Sequence, residues 1–160
     1  MEITTAEMAA VDTLVDNWVE LAADQRQYGS RLLSTENRQT VVDAITRHIV
    51  SDGLLVARED DDILGFVMFH VEDGQYEQDQ TAGVIVNLYV KPAVRSQGIG
   101  GELLSAAEAE LVAMGADTVT LEVLAANDDA RRFYRRHGYR PHRVELAKSM
   151  ENDTHSKGDN

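Results

Sequence analysis

Residues 84–101 of this chain read VIVNLYVKPAVRSQGIGG, and the architecture can be worked out from this stretch outward. The run from 84 to 90 is nearly continuous in apolar and β-branched residues, a pattern typical of a buried central strand. Pro92 ends the strand, because proline has no N–H to donate to a sheet. From Gly98 to Met114 apolar residues recur at helical spacing, so a helix follows, and Gly115 is its C-terminal stop.

The loop that joins this strand to this helix predicts an anion-binding site. Its glycines let the backbone approach a ligand closely. The first turn of the helix offers unsatisfied N–H groups, and the helix dipole adds partial positive charge there. Arg95 can add a fixed charge, so a pyrophosphate is the natural ligand. The loop residues are Arg95, Ser96, Gln97, Gly98, Ile99, Gly100 and Gly101.

Other interpretations of the loop stay open at this point. A glycine-rich turn also occurs as a packing device that binds nothing. The loop is not a Walker loop, because the Gly-Lys-Ser/Thr ending is missing. It is a poor dinucleotide fingerprint as well, because Leu103 stands where Gly-x-Gly-x-x-Gly needs its last glycine.

The rest of the chain adds short strands and amphipathic helices. Ile3 lies in a first strand, and Thr4-x-x-Glu7 has the form of a capping box that starts a helix. Further predicted elements are a helix over 41–49, a hairpin of 54–57 with 63–71, a strand over 118–124, a helix from Asn127 or Asp128 to about Arg136, and a strand over 139–146. Together they predict one mixed α/β domain over residues 1–148. We expect residues 149–160 to form a polar, disordered tail.

Composition excludes several classes of protein. The 160 residues carry a formal net charge of -13, so a general basic surface for nucleic acid is not expected. With no cysteine, the chain has no disulfide, thiolate metal site or cysteine nucleophile. We expect no metal, and the run of four acids at 59–62 is interpreted as a solvated turn. No apolar run approaches the roughly 20 residues of a membrane span, no signal peptide is visible, and we expect a cytoplasmic protein.

Lysine is rare in this acidic chain. Only Lys91, Lys148 and Lys157 occur, and every other basic residue is arginine. Such an acid-rich, lysine-poor composition resembles that of proteins adapted to high salt. A halophilic origin is therefore one hypothesis, and an ordinary acidic surface is the other.

Two sequence blocks resemble the GNAT family, the Gcn5-related N-acetyltransferases. The family signature Arg/Gln-x-x-Gly-x-Gly/Ala appears as the segment from Arg95 to Gly100, after the lead-in strand that ends at Pro92. The second block appears downstream as NDDARRFYRRHGY, residues 127–139. The family fold is a central mixed sheet, flanked by helices, that splays open beside the glycine loop.

The resemblance implies that acetyl-CoA is a co-substrate bound in this split. Its pantetheine arm would pair with the backbone of Leu88, Tyr89 and Val90, as an added strand pairs with a sheet edge. Its pyrophosphate would lie on the loop of residues 95–101. Asn127 would hydrogen-bond the pantetheine, although plain helix capping explains this residue too.

The resemblance also implies a catalytic role for Tyr134. When an amine attacks the thioester, a thiolate must leave, and Tyr134 matches the family's general acid. The alternative is that Tyr134 only packs beside Phe133. For the general base, several relatives carry a glutamate where this chain has Val86, followed by Asn87. His70, Glu72 and Tyr28 are the candidates that remain, and the amine can also arrive already neutral.

Six arginines crowd the segment 131–143 of an otherwise acidic chain. They are either solvated helix positions or a positive field for the CoA phosphates. They are Arg131, Arg132, Arg135, Arg136, Arg140 and Arg143.

The main hypothesis is direct acetyl transfer to an amine of a small molecule or protein, with the loop over 25–33 walling the acceptor pocket. The rival hypotheses are a non-catalytic CoA-binding or sensing module and a pure interaction domain. We expect no nucleic-acid or membrane partner. Since dimers are common in the family, a homodimer is among the expected assemblies.

Overall fold

The computed structural model describes residues 1–74 and 76–151, and the expected tail over 152–160 lies outside the described residues. The strands are β1 (Glu2–Thr5), β2 (Leu54–Glu59), β3 (Asp62–Val71), β4 (Ala82–Val90) and β5 (Thr118–Leu121). The α-helices are α1 (Val11–Gln25), α2 (Arg38–Val50), α3 (Ile99–Ala113) and α4 (Asp128–Arg136). Short 3-10 turns occupy Met8–Ala10, Arg26–Tyr28, Thr35–Asn37 and Pro92–Val94.

The strands form one mixed sheet in the order β1-β2-β3-β4-β5. The pairs β1–β2, β2–β3 and β3–β4 are antiparallel, and β5 runs parallel to β4. The strand β4 has a neighbour on each side, β3 and β5, so it lies inside the sheet, as the apolar run over 84–90 predicted. This mixed α/β architecture confirms the fold class expected from the sequence.

Two hydrophobic clusters cover the two faces of the sheet. On one face α1 and α2 pack, with Leu14 and Ile45 fully buried against Phe66 of β3. On the other face α3 packs, with Leu103 and Leu111 fully buried. The alternation of side chains along β3 explains the division, because successive residues of a strand point to opposite faces. None of the described helices is long and apolar enough to cross a bilayer.

The helix start predicted at Thr4 is wrong. Thr4 and Thr5 belong to β1, where they pair with Val56 and Leu55 of β2. The α-helix begins only at Val11, and no side chain caps it. The capping-box pattern was overridden because pairing in the sheet satisfies the backbone of these residues.

The strand predicted over 139–146 is wrong as well. Residues 140–150 form no helix or strand. Val144 and Leu146 are 75% and 90% exposed, so the apolar residues of this segment find no face on which to be buried. Pro141 also removes one N–H that a strand would use. The outermost strand on this side of the sheet is therefore β5, which has only four residues.

Candidate functional site

The strands β4 and β5 stop pairing about halfway along β4. Their pairing runs from Ala82↔Thr118 to Ile85↔Leu121 and stops there. Just beyond it, β4 carries a bulge: Met68 of β3 pairs with Asn87 and Phe69 pairs with Ile85, which leaves Val86 extra. From Val86 to its end, β4 therefore pairs with β3 on one side and presents an open edge on the other.

The open edge presents the backbone groups of Leu88 and Val90. The Lys91 N–H donates to Leu64 O of β3 at 2.8 Å, whereas Val90 O accepts from Arg95 Nε at 2.9 Å. Because backbone groups alternate in direction along an antiparallel strand, Leu88 points to the same side as Val90. An extended ligand can pair with this edge once Arg95 releases the Val90 carbonyl.

Tyr89, between these two residues, faces elsewhere. Its ring is 2% exposed on the α1 face of the sheet, and its hydroxyl donates to Glu20 Oε1 at 2.6 Å. Burial, with the bond and charge of Glu20, raises the pKa of the Tyr89 hydroxyl well above its ordinary value. The structure thus brings Leu88 and Val90 to the open edge but turns the Tyr89 side chain away from it.

The loop before α3 forms a concave run of backbone amides. Ser96 and Gly98 have φ values of 67° and 86°, and Gly98 is the residue that precedes the helix. No carbonyl of the described residues accepts a hydrogen bond from the amides of residues 96–101, whereas the Glu102 N–H donates to Gly98 O at 3.1 Å. Free amides at the positive end of a helix dipole suit a phosphate, so the geometry fits the pyrophosphate predicted from sequence.

Glycine stands at positions 98, 100 and 101 of the loop for different structural reasons. A β-carbon on Gly98 would meet no atom within 4 Å, so the positive φ at this position, and not a lack of space, is what favours glycine there. A β-carbon on Gly100 would lie 3.4 Å from Phe133 Cζ, and one on Gly101 would lie 3.0 Å from His137 Nε2. The distance at Gly100 is an ordinary van der Waals contact, whereas the distance at Gly101 is tighter than side chains normally make, so Gly101 is the glycine that lets the end of α4 pack closely on the start of α3.

The helix α4 begins at a buried asparagine. Asn127 is 7% exposed, and its Oδ1 accepts a hydrogen bond from the Ala130 N–H at 3.1 Å. The capping interpretation thus accounts for Oδ1, whereas Nδ2 donates no hydrogen bond to the described residues. At the other end of α4, the Tyr139 hydroxyl donates to Glu108 Oε2 of α3 at 2.6 Å.

Tyr134 packs with the α3 cluster among aromatic rings. Its ring centroid lies 5.1 Å from that of Phe133 and 5.9 Å from that of Tyr139, both in edge-to-face geometry. Burial raises the pKa of the Tyr134 hydroxyl to about 12, because the phenolate would be poorly solvated there. The phenol therefore stays protonated at neutral pH, as a hydrogen-bond or proton donor must.

The six arginines of residues 131–143 are all exposed. Arg132 pairs with Asp129, and Arg131 Nη1 donates to Ala125 O at 3.1 Å. The guanidinium of Arg136 lies 5.8 Å from the Phe133 ring centroid. The structure therefore collects positive charge around α4, although some of these side chains already hold local partners.

The three candidates for the general base come from two separate parts of the chain. His70 is the second-last residue of β3 and lies on the α2 face, Glu72 follows the end of that strand, and Tyr28 lies in the turn after α1. Only His70 belongs to a polar pair: His48 Nδ1 lies 2.7 Å from Ala44 O, and His48 Nε2 lies 3.2 Å from His70 Nδ1. Since a carbonyl only accepts, His48 Nδ1 carries the proton and its Nε2 accepts from His70. Burial lowers the pKa of His48.

Sequence reasoning missed a pocket on the α1–α2 face of the sheet. Its volume is about 230 Å³, and it lies between these two helices and the bulge of β4. None of the three base candidates lines it. One residue of the loop expected to wall the acceptor does: Leu32. A signal was present in the sequence, because Asn87 is the one polar residue inside the apolar run 84–90.

Comparison with known proteins gives a family and a fold. A family model described as "Acetyltransferase (GNAT) family" matches residues 15–139. The chain is similar to the aminoalkylphosphonate N-acetyltransferase of Salmonella typhimurium, with 30% identity over 95 residues that cover 59% of this chain and 61% of that protein. The chain spans about three fifths of the length of the curated relatives it matches.

Solved structures share the whole architecture. The GCN5-related N-acetyltransferase from Ralstonia eutropha superposes with a TM-score of 0.73 at 23% identity, over 93% of this chain and 97% of that one. The predicted acetyltransferase with acetyl-CoA from Clostridium acetobutylicum gives 0.71 at 18% identity, over 93% and 96%. At these identities the likeness shows the fold.

Proposed function

The chain belongs to the acetyltransferase (GNAT) family, and from that membership we propose that it transfers the acetyl group of acetyl-CoA directly to an amine nitrogen. The family predicted from the two sequence blocks is thereby confirmed. The observation that carries the proposed activity is the conjunction of free amides over residues 96–101 with the open edge of β4. The first suits a pyrophosphate, and the second suits the extended arm that joins it to a thioester.

Different residues bind different parts of acetyl-CoA. The amides of residues 96–101, with Arg95, hold the pyrophosphate, and the arginines of residues 131–143 supply a positive field for the phosphates. Leu88 and Val90 pair with the pantetheine arm, and Asn127 Nδ2 is positioned to bond it. Arg95 exchanges its bond to Val90 O for the phosphates when the arm pairs with that carbonyl.

The reaction needs little more from the chain. Acetyl-CoA supplies a carbonyl that the neutral amine attacks and a sulfur that leaves with the electron pair of the broken C–S bond, and the nitrogen loses one proton to water as the amide forms. A backbone N–H at the end of β4 stabilises the oxyanion, as the family resemblance implies. Tyr134 donates a proton or a hydrogen bond to the departing sulfur, whose thiol form has a pKa of about 8.5 in free thiols.

The rival function is a CoA-binding or sensing module that does not catalyse. One observation favours it: Val86 and Asn87 stand where several relatives carry a glutamate. The half-buried Tyr134, which stays protonated at neutral pH, favours the enzyme instead, because a sensor has no use for a proton donor. A cytoplasmic location and a homodimer complete the proposal, the first on the absence of cysteine and the second by analogy with the family.

Thiol release separates the two functions. The full chain is incubated with acetyl-CoA and a panel of primary amines, free thiol is followed with time, and acetylated amines are identified by mass spectrometry. The enzyme releases thiol only with an acceptor and forms one acetylated amine per thiol. Tight acetyl-CoA binding by calorimetry, with no thiol release above that of the Tyr134→Phe variant, would instead establish the binding module.

A further inference from the structure

The pocket on the α1–α2 face is built almost entirely from uncharged groups. Six of its nine lining residues are apolar, and the other three are neutral amides or a hydroxyl. We call it the α1–α2 pocket. It is lined by Trp18, Leu32, Asn37, Thr40, Val41, Ala44, Met68, Val86 and Asn87. It opens to solvent beside Leu32 and Val86, which are 48% and 40% exposed.

The α1–α2 pocket ends where β4 begins its open edge. Val86 is the bulged residue of β4, and Asn87 directly precedes Leu88, the first residue assigned to the pantetheine arm. A ligand in the pocket therefore approaches the end of that arm from the face of α1 and α2. On the proposed function, this is the side from which an amine reaches the thioester carbonyl.

One polar atom of a lining residue lacks a partner. Asn87 Oδ1 is buried, and it accepts no hydrogen bond from the described residues. Leaving a buried acceptor unsatisfied costs free energy, and a ligand that donates to it recovers that free energy. A primary amine can donate one N–H to Oδ1 and still direct its lone pair at a carbonyl. An amide oxygen does not take the proton itself, so Asn87 positions the nitrogen without serving as the base.

We propose that the acceptor is an apolar primary amine with no second charge. Its hydrocarbon part fills the α1–α2 pocket, and its nitrogen donates to Asn87 Oδ1. The size is suitable, since a dry apolar cavity of about 150 Å³ binds benzene and this pocket has about 230 Å³. One aromatic ring on a two-carbon tether fits this description. The proposal rests on the proposed function, which it extends to the substrate class.

Charge sets this acceptor apart from that named for a matched relative. An aminoalkylphosphonate carries an anionic group, and a diamine carries a second ammonium. The single nitrogen of an apolar amine enters as the neutral base, whereas the phosphonate or the second ammonium keeps its charge and finds no counter-ion, because no lining residue of the α1–α2 pocket is charged. Burying an unpaired charge is far more costly than burying an apolar group, so such amines are rejected.

Trp18 makes the proposal directly measurable. It is the only tryptophan of the chain and lines the pocket, so its emission reports on whatever enters there. We expect 2-phenylethylamine to change the emission saturably, and 2-aminoethylphosphonate and 1,4-diaminobutane to leave it unchanged. The methyl ether of 2-phenylethanol has the ring but no donor, and it should bind about fivefold more weakly than the amine, as one net hydrogen bond predicts.

Two matched variants isolate the amide. Asn87→Leu removes the acceptor atom, so the fivefold preference for the amine over the ether should vanish. Asn17→Leu makes the same change at the other buried amide without a partner, on α1 and outside the pocket lining, and the preference should persist. Ala44→Leu fills the pocket with a good helix former, so amine binding should be lost while acetyl-CoA binding is retained.

The activity assay keeps the two proposals distinguishable. We expect kcat/KM for 2-phenylethylamine to exceed that for 2-aminoethylphosphonate or 1,4-diaminobutane at least tenfold. Preference for either charged amine would overturn the substrate class and leave acetyl transfer standing. A saturable Trp18 response without any acetylation would keep the apolar-amine site and overturn the transferase. No response of Trp18 to 2-phenylethylamine, or an unchanged preference in Asn87→Leu, would overturn the inference.

Discussion

The two sides of β4 are built from different parts of the chain. On the open edge and at the start of α3, the unpaired groups are backbone amides and carbonyls, arranged by Gly98 and by the end of the pairing between β4 and β5. On the face covered by α1 and α2, the pocket is made of side chains from five separate segments. A site made of backbone groups depends little on side-chain identity, whereas a pocket made of side chains changes its shape and chemistry with each substitution.

Removing the Tyr134 hydroxyl should have the largest effect on the open-edge side. Tyr134→Phe keeps the ring packing and should lower kcat by about 10- to 100-fold, within the usual range for a general acid. Acetyl-CoA affinity should stay constant, because the interaction forms mainly in the transition state. Stopped-flow measurement of the chemical step provides the rate.

Tyr139→Phe is the matched control for this prediction. It removes the hydroxyl that bonds Glu108, so it should lower the free energy of unfolding by about 1 kcal/mol and leave the chemical step alone. Equal rates for the Tyr134→Phe and native proteins, with chemistry limiting, would assign Tyr134 to packing.

The amide loop should tolerate side chains less well than its open surroundings imply. Gly98→Ala places a β-carbon at φ 86°, which costs about 1 kcal/mol and moves the amides. Gly115, at the other end of α3, has φ 101° and equally open surroundings, so Gly115→Ala should cost a similar free energy of unfolding. Calorimetry should show a severalfold loss of CoA affinity for Gly98→Ala and none for Gly115→Ala. Equal affinities would mean that the loop only packs.

The pair of histidines beside the pocket should give a smaller effect, on stability and its pH dependence. The folded pKa of His48 lies below 6.5, chiefly through burial, with repulsion from His70 and Arg47 added, although the bond to Ala44 O opposes the shift. The unfolded chain therefore binds this proton more readily, so stability should fall as pH decreases below about 6.5 and level off beneath the folded pKa. Thermal unfolding should show this slope flattened in His48→Gln, whereas the exposed His142→Gln should keep it.

Salt should have the smallest effect, and it should act on the stability of the whole folded chain. With a net charge of -13, the folded chain repels itself, and KCl should raise its Tm by screening. Refolding titrated against KCl tests the hypothesis of a halophilic origin. Full stability and complete refolding in dilute buffer would favour an ordinary acidic surface.

The sequence predicts the open-edge side well because its signals are local. The apolar run over 84–90 and the glycines that follow it specify a strand, a turn and a helix start within eighteen residues. The strand expected over 139–146 failed for a nonlocal reason. Alternating residues such as Val144 and Leu146 suit a strand, but only the assembled sheet decides whether a neighbour accepts it.

The α1–α2 pocket lay beyond sequence reasoning for the same reason. Trp18, Val41 and Met68 were each predictable as apolar core residues, and their periodicity says nothing about a gap between them. Asn87 was visible as a polar residue inside a buried strand. Its unpartnered oxygen appears only when the two helices are placed against the sheet.

The close packing of α4 on α3 has a consequence for the length of the thioester's arm. Phe133 lies against Gly100, and the Tyr139 hydroxyl bonds Glu108, so two contacts hold the helix that carries Tyr134 against α3, which begins in the loop of free amides. On the proposed function, this packing fixes the distance between the amides that hold the phosphates and the hydroxyl that meets the sulfur. A CoA analogue whose arm is one methylene longer or shorter would still bind through its phosphates, but its sulfur would no longer lie at the Tyr134 hydroxyl. The enzyme would then discriminate among thioesters by reach, before any contact with the acyl group.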